Sequence, residues 1–259
     1  LKGRVFLAIS FIALLSSCSP SIEEQKNRQI QKMEHGLLED LSDPPWKTMG
    51  LLERMNYHEV PGVSIAFINE YKIEWARGYG VLEAGGDQAV TPETLFQTAS
   101  IAKPVVAAAA LGYVERGILA LDRDVNLDLV SWHIPENAFT AHENVTLRRL
   151  LSHTAGVIIH GFIGYKQGER IPNLQQILNG EPPANSPAIV VDMVPGTRWR
   201  YSGGGYMIVQ QLLEDITGDP FALIMEQDVL SPLGMTASTF EAPLPERFWP
   251  NAASGHRAD

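Results

Sequence analysis

Ser100-Ile101-Ala102-Lys103 places a hydroxyl and an amine three residues apart at the head of an alanine-rich run. Residues at that spacing share a helix face. A serine hydroxyl attacks a carbonyl only when a nearby base takes its proton, so the chemistry open to this pair is nucleophilic catalysis. By itself the pattern equally suits a serine N-cap followed by a solvated lysine. The rest of the chain has to decide.

A second segment offers a partner. Pro195-Gly196-Thr197-Arg198-Trp199-Arg200-Tyr201-Ser202-Gly203-Gly204-Gly205-Tyr206 holds three successive glycines, which let backbone approach backbone or a substrate closely. Tyr201 beside such a loop acts as a base if cations lower its pKa, and Lys103 is a candidate cation. The competing reading is a glycine-rich loop with Tyr201 as a packing anchor. This is not a dinucleotide fingerprint, because Ile208 stands where its third glycine belongs. Nor is it a Gly-x-Ser-x-Gly elbow, because Arg200 holds the first position around Ser202.

The elements that must position these residues can be read from pattern. Pro104 is tolerated in a first helical turn, and Gly117 suits a C-cap. A helix is therefore expected from Thr98–Ser100 to about Gly117. Thr146 is a suitable N-cap for a helix through Leu151. Gly205 to Thr217 reads as an apolar helix stopped by Gly218, followed by another over Pro220 to Leu230. Residues 161–190 are rich in Gly, Pro and Asn and read as loop. Upstream, Ile30, Met33, Leu37 and Leu41 recur at helical spacing, and Leu51 to Tyr57 fits one or two helical turns. Val63–Ile68 and Tyr71–Gly80 read as an antiparallel hairpin turning at Asn69-Glu70. A hairpin followed by helices is an α+β pattern, with a mostly helical region inserted into a sheet domain.

Composition narrows the function. The 259 residues carry a formal net charge of −10 with no basic stripe, which argues against nucleic acid. The lone cysteine, Cys18, rules out an intramolecular disulfide and a cysteine-based metal site. The seven histidines show no tight ligand spacing, and structural or surface roles are expected for each, His153 and His160 included. No metal and no cofactor are expected.

The N-terminus reads as an address. Lys2 and Arg4 precede an apolar run, Val5 to Leu15, that is short for a membrane span. Leu15-Ser16-Ser17-Cys18 resembles the lipobox of bacterial lipoproteins. That resemblance implies residues 1–17 as a signal peptide, cleavage before Cys18 and lipidation of its thiol. The protein would be anchored to a membrane without spanning it. Ser19 fits sorting to the outer membrane of a Gram-negative cell, facing the periplasm. Residues 18–45 are then a tether with a polar helix, and residues 46–259 the main domain.

Taken in order, Phe96 to Lys103, Val114-Glu115-Arg116-Gly117, Leu150 to Val157, Pro195 to Tyr206 and Ser231-Pro232-Leu233-Gly234-Met235-Thr236 resemble the serine β-lactamase-related family. The likeness covers about residues 58–259 and favours the branch of class C β-lactamases, esterases and D-Ala-D-Ala peptidases. It implies a β-lactamase/transpeptidase-like fold, an antiparallel sheet flanked by helices. Ser100 would be the acyl-forming nucleophile, its N–H half of the oxyanion hole. Lys103 would polarise it, and Tyr201 would shuttle the proton to the leaving group. The substrate would be an ester, amide, β-lactam or cell-wall peptide. Gly203 stands where the family's Tyr-x-Asn element has the asparagine that helps hold a substrate amide. The third family element (Lys-Thr-Gly or His-x-Gly) has no counterpart after Tyr201. The expectation is therefore a chain lacking C-terminal strands and helix, inactive as it stands. The competing reading is an inactive lipoprotein that binds cell-wall peptides on the same scaffold.

Overall fold

The computed structural model describes residues 21–39, 42, 44–166 and 168–256, so the signal-peptide and Cys18 expectations lie outside the described residues. The chain divides into two compact units. One runs to Thr94 and resumes at Ala253, and the other is Leu95–Ala252.

In the first unit, helix α1 (Ile22–His35) starts at a capping box in which Ser21 accepts from the Glu24 N–H and the Glu24 carboxylate accepts from the Ser21 N–H. Its apolar contact is Ile30, which is 1% exposed. The helix stops one residue before Gly36, so Leu37 is not helical as its spacing suggested. Leu37–Leu38 (β1) instead pairs with Thr48–Met49 (β2). Glycine is a weak helix former, and its entropy cost ends the helix there. Leu41 lies outside the described residues. Helix α2 (Leu51–Tyr57) forms as read.

The expected hairpin is Gly62–Asn69 (β3) against antiparallel Lys72–Gly80 (β4). Its turn falls one residue later than expected, on Glu70-Tyr71, with φ of 47° and 62°. Two left-handed residues make the turn whose twist matches the strands, even without the usual Asn-Gly. Trp75 is buried and stacks on Phe67 with ring centres 5.9 Å apart. Among the described residues each sheet has two strands.

The second unit is the helical region. A 3₁₀ turn, Ala99–Ile101, leads directly into α3 (Ala102–Glu115), which ends as expected just before Gly117, a residue at φ 72°. Thr146 caps α4 (Leu147–Leu151) by accepting the Arg149 N–H. Within the loop-rich 161–190 stretch, Asn173 and Gln176 form a capping box for a short α5 (Leu174–Asn179). Helix α6 (Gly203–Thr217) closes on left-handed Gly218. Helix α7 (Phe221–Met225) continues into a π turn over Glu226–Leu230. The core wraps α6: Ile208, Val209, Leu212 and Leu213 are 1% exposed or less and pack among Ala109 and Ala110 of α3 and Leu147 and Leu150 of α4. Truncating one such leucine to alanine typically costs about 2–5 kcal/mol.

Helix α6 begins two residues before the expected Gly205, so Gly203 and Gly204 are helical rather than part of a preceding loop. All three lie in the first turn of α6 and are buried. That turn docks on residues 158–160. Gly203 N–H donates to the His160 carbonyl at 3.0 Å and Gly204 N–H to Ile159 at 3.1 Å. Ser202 Oγ accepts the Gly205 N–H and donates to the Ile158 carbonyl at 2.8 Å. These bonds satisfy the amide groups that a helix start leaves open. A Cβ at Gly204 would lie 2.7 Å from the Ile158 carbonyl oxygen, so only glycine permits the approach.

Candidate active site

Ser100, Lys103 and Tyr201 all belong to the helical unit. Ser100 is exposed on the 3₁₀ turn, and Lys103 is half-buried in the first turn of α3. Residues three apart nearly eclipse in a 3₁₀ turn. Lys103 Nζ accordingly donates to Ser100 Oγ at 3.1 Å. Ala99, immediately before the serine, has φ of 45°, an unfavourable conformation for a residue with a Cβ.

Tyr201 joins the pair from the segment before α6. Lys103 Nζ lies 5.0 Å from the centre of the Tyr201 ring and 5.6 Å from that of Tyr206. Both are within cation–π range. Among the described residues no carboxylate forms an ion pair with Lys103. Its charge is therefore directed at hydroxyl and aromatic groups. Hydrogen bonding to Lys103, and then to Ser100, holds the Tyr201 phenol below its ordinary value of 10.0. Tyr206 moves the opposite way, raised first by burial and then by the neighbouring Tyr201. Two phenols side by side thus differ in acidity, and the one beside Ser100 is the more acidic.

Two further residues meet here that sequence reasoning placed in unspecified structural or surface roles. The His153 ring centre is 4.4 Å from that of Tyr201, and the His160 ring centre is 4.8 Å from it. The signal available was the turn Ser152-His153-Thr154-Ala155-Gly156 closing α4. Its destination depends on the pairing of residues 156–158 with 190–192, which sequence spacing does not disclose. Gly203, expected at a substrate-binding position, is buried with its N–H donated to the His160 carbonyl. A Cβ there would meet that same carbonyl oxygen at 3.0 Å.

A serine bonded to a lysine, with an acid-shifted tyrosine alongside, can support nucleophilic attack by the serine hydroxyl. The family model described as Beta-lactamase matches residues 50–259, and the chain belongs to that family. Its fold is β-lactamase/transpeptidase-like. It is similar to Esterase EstB of Burkholderia gladioli, 31% identical over 186 residues that cover 68% of this chain and 46% of the relative. It is also similar to Penicillin-binding protein 4 of Amycolatopsis lactamdurans, 31% identical over 70% of this chain and 45% of the relative. Among solved structures, the octameric penicillin-binding protein homologue from Pyrococcus abyssi superposes with a TM-score of 0.59 at 26% identity, covering 80% of this chain and 46% of that one. The chain thus spans less than half the length of these relatives.

Proposed function

We propose that this protein is a serine hydrolase that forms an acyl-enzyme on Ser100 and acts on small carboxylic esters. The observation that carries the reading is the 3.1 Å hydrogen bond from Lys103 Nζ to Ser100 Oγ, next to a tyrosine made more acidic by both. In the first step the Tyr201 phenolate takes the Ser100 proton as Oγ bonds to the substrate carbonyl carbon. The Lys103 ammonium stabilises the phenolate and polarises the hydroxyl. On collapse the bond to the leaving alcohol breaks, and Tyr201 returns the proton to that oxygen. The Tyr201 phenolate then takes a proton from water as that water attacks the acyl carbon, the acyl–Oγ bond breaks, and Tyr201 returns the proton to Ser100 Oγ.

Esters are favoured over lactams and peptides by position 203. It carries no side-chain amide to hold a substrate amide, and its N–H is already spent on His160. The resemblance to a relative named as an esterase supports the same choice. The location proposed is the cell envelope, with the chain lipid-anchored through Cys18 and facing the periplasm. It is supported by the basic, apolar and lipobox-like order of residues 1–18.

The test uses the complete gene product with a fluorophosphonate probe, a fluorescent penicillin and p-nitrophenyl acetate. Fluorophosphonate labelling and ester turnover are expected, with both lost in Ser100→Ala. Labelling that persists in Ser100→Ala would overturn the reading. Penicillin turnover exceeding ester turnover would overturn the substrate choice.

A further inference from the structure

His153 is bonded to the chain on both sides of Tyr201. Its backbone carbonyl accepts the Arg200 N–H at 2.8 Å, and its Nδ1 accepts the Ser202 N–H at 3.1 Å. Its ring lies on Tyr201 at 4.4 Å. One residue thus holds the residue before the phenol, the residue after it and the aromatic face between. His153 adopts φ of 59°, a left-handed setting in which asparagine, aspartate and histidine are enriched among residues other than glycine. That backbone setting lets carbonyl and imidazole serve the same short segment.

We propose that His153 is the positioning residue of this site: as a neutral imidazole it clamps residues 200–202 and sets the Tyr201 phenol against Ser100 and Lys103. The inference rests on the serine-hydrolase reading. An Nδ1 that accepts an N–H is unprotonated, so the ring proton sits on Nε2. Protonating Nδ1 would turn the acceptor into a donor facing another donor, and the clamp on Ser202 would open. The surroundings oppose that protonation. Burial lowers the His153 pKa from 6.5, and the Lys103 charge lowers it further. The other groups facing the ring are Tyr201, Tyr206 and Trp199, with ring centres at 4.4, 5.5 and 6.2 Å. Of the nearby charges besides Lys103, Arg200 is ion-paired with Asp192; the His160 ring meets Tyr201. The clamp is therefore in force near neutral pH and is lost on acidification.

The experiment measures kcat and KM for p-nitrophenyl acetate across pH in the complete gene product, its His153→Asn variant and its His153→Ala variant. Asparagine tolerates left-handed backbone and offers an amide oxygen to the Ser202 N–H, but it does not titrate. His153→Ala is expected to lose about 100-fold in kcat with KM changed less than about threefold, because a displaced catalytic group costs rate and spares binding. His153→Asn is expected to recover at least about tenfold of that loss. Below the depressed His153 pKa the wild-type log(kcat/KM) profile should steepen by one proton, and His153→Asn should lack that steepening. A folded His153→Ala within threefold of wild type, or an Asn profile that superimposes on the wild type in acid, would overturn the proposal. The second readout stands even if the alanine variant does not fold. If the wild type neither labels nor turns over ester, the hydrolase reading falls and the clamp with it. An active wild type with unaffected His153 variants removes the clamp alone.

Discussion

Lys103 reaches Ser100 across a single 3₁₀ turn, Nζ to Oγ at 3.1 Å, and the same ammonium faces the Tyr201 ring at 5.0 Å. One cation thus faces both groups that exchange a proton in the proposed reaction. The shift of the Tyr201 phenol toward lower pKa follows from that position, since Lys103 is its largest cause.

Tyr201→Phe keeps the ring that packs against His153 and His160 and removes only the phenol oxygen. Ester turnover is expected to fall by about 10²–10⁴, the range for a lost general acid–base group. In the wild type, activity should rise with pH as Tyr201 deprotonates, at a pH below its ordinary 10.0. That rising limb should be missing from the residual activity of the phenylalanine variant. A pH–rate series of the two proteins checks both points, and an unchanged limb would remove Tyr201 as the titrating base.

Gly203→Asn restores the residue type found in the family's Tyr-x-Asn element, yet it should not produce a penicillinase. The new Cβ would lie 3.0 Å from the His160 carbonyl oxygen, which is backbone and also accepts the Gly203 N–H. The cost is expected at about 1–3 kcal/mol, as for overpacking elsewhere. Thermal melting and hydrolysis of a chromogenic cephalosporin check this. A variant as stable as wild type that gained lactam turnover would show that residues 158–160 yield to the side chain.

Ala99→Gly should trade stability against rate. Alanine at φ 45° stores about 1–2 kcal/mol that glycine would release. The freer glycine chain in the unfolded state offsets part of that gain. A net stabilisation of up to about 1 kcal/mol is expected. Because Ala99 directly precedes Ser100, the proposed nucleophile, the same change loosens the turn that presents it. A lower kcat with little change in KM should accompany the higher melting temperature. Equal kcat in the two proteins would mean that the strain has no part in presenting the serine.

The hairpin β3–β4, the caps at Thr146 and Gly218 and the helix after Ser100 were legible because each depends on neighbours in sequence: alternation, a hydroxyl before a turn, a glycine after one. The Ser100–Lys103 pair was legible for the same reason, since three residues of helix bring it together. Apolar spacing continues past Gly36, but the local backbone cost at that glycine outweighs the pattern and ends α1 at His35. The helix was expected to start at Gly205, with Gly203 and Gly204 before it, because glycine is rare inside helices; here all three form its first turn. What decides their place is the docking of carbonyls from residues 158–160 onto Gly203, Gly204 and Ser202. Likewise, no spacing along the chain announces that His153 will bracket Tyr201 across nearly fifty residues. The sequence alone determined which chemistry was available, through a hydroxyl and a cation one turn apart. Tyr201 was already the candidate phenol; tertiary structure alone brought it to the pair and decided what holds it there. Those contacts join segments far apart in the chain, and only packing brings such segments together.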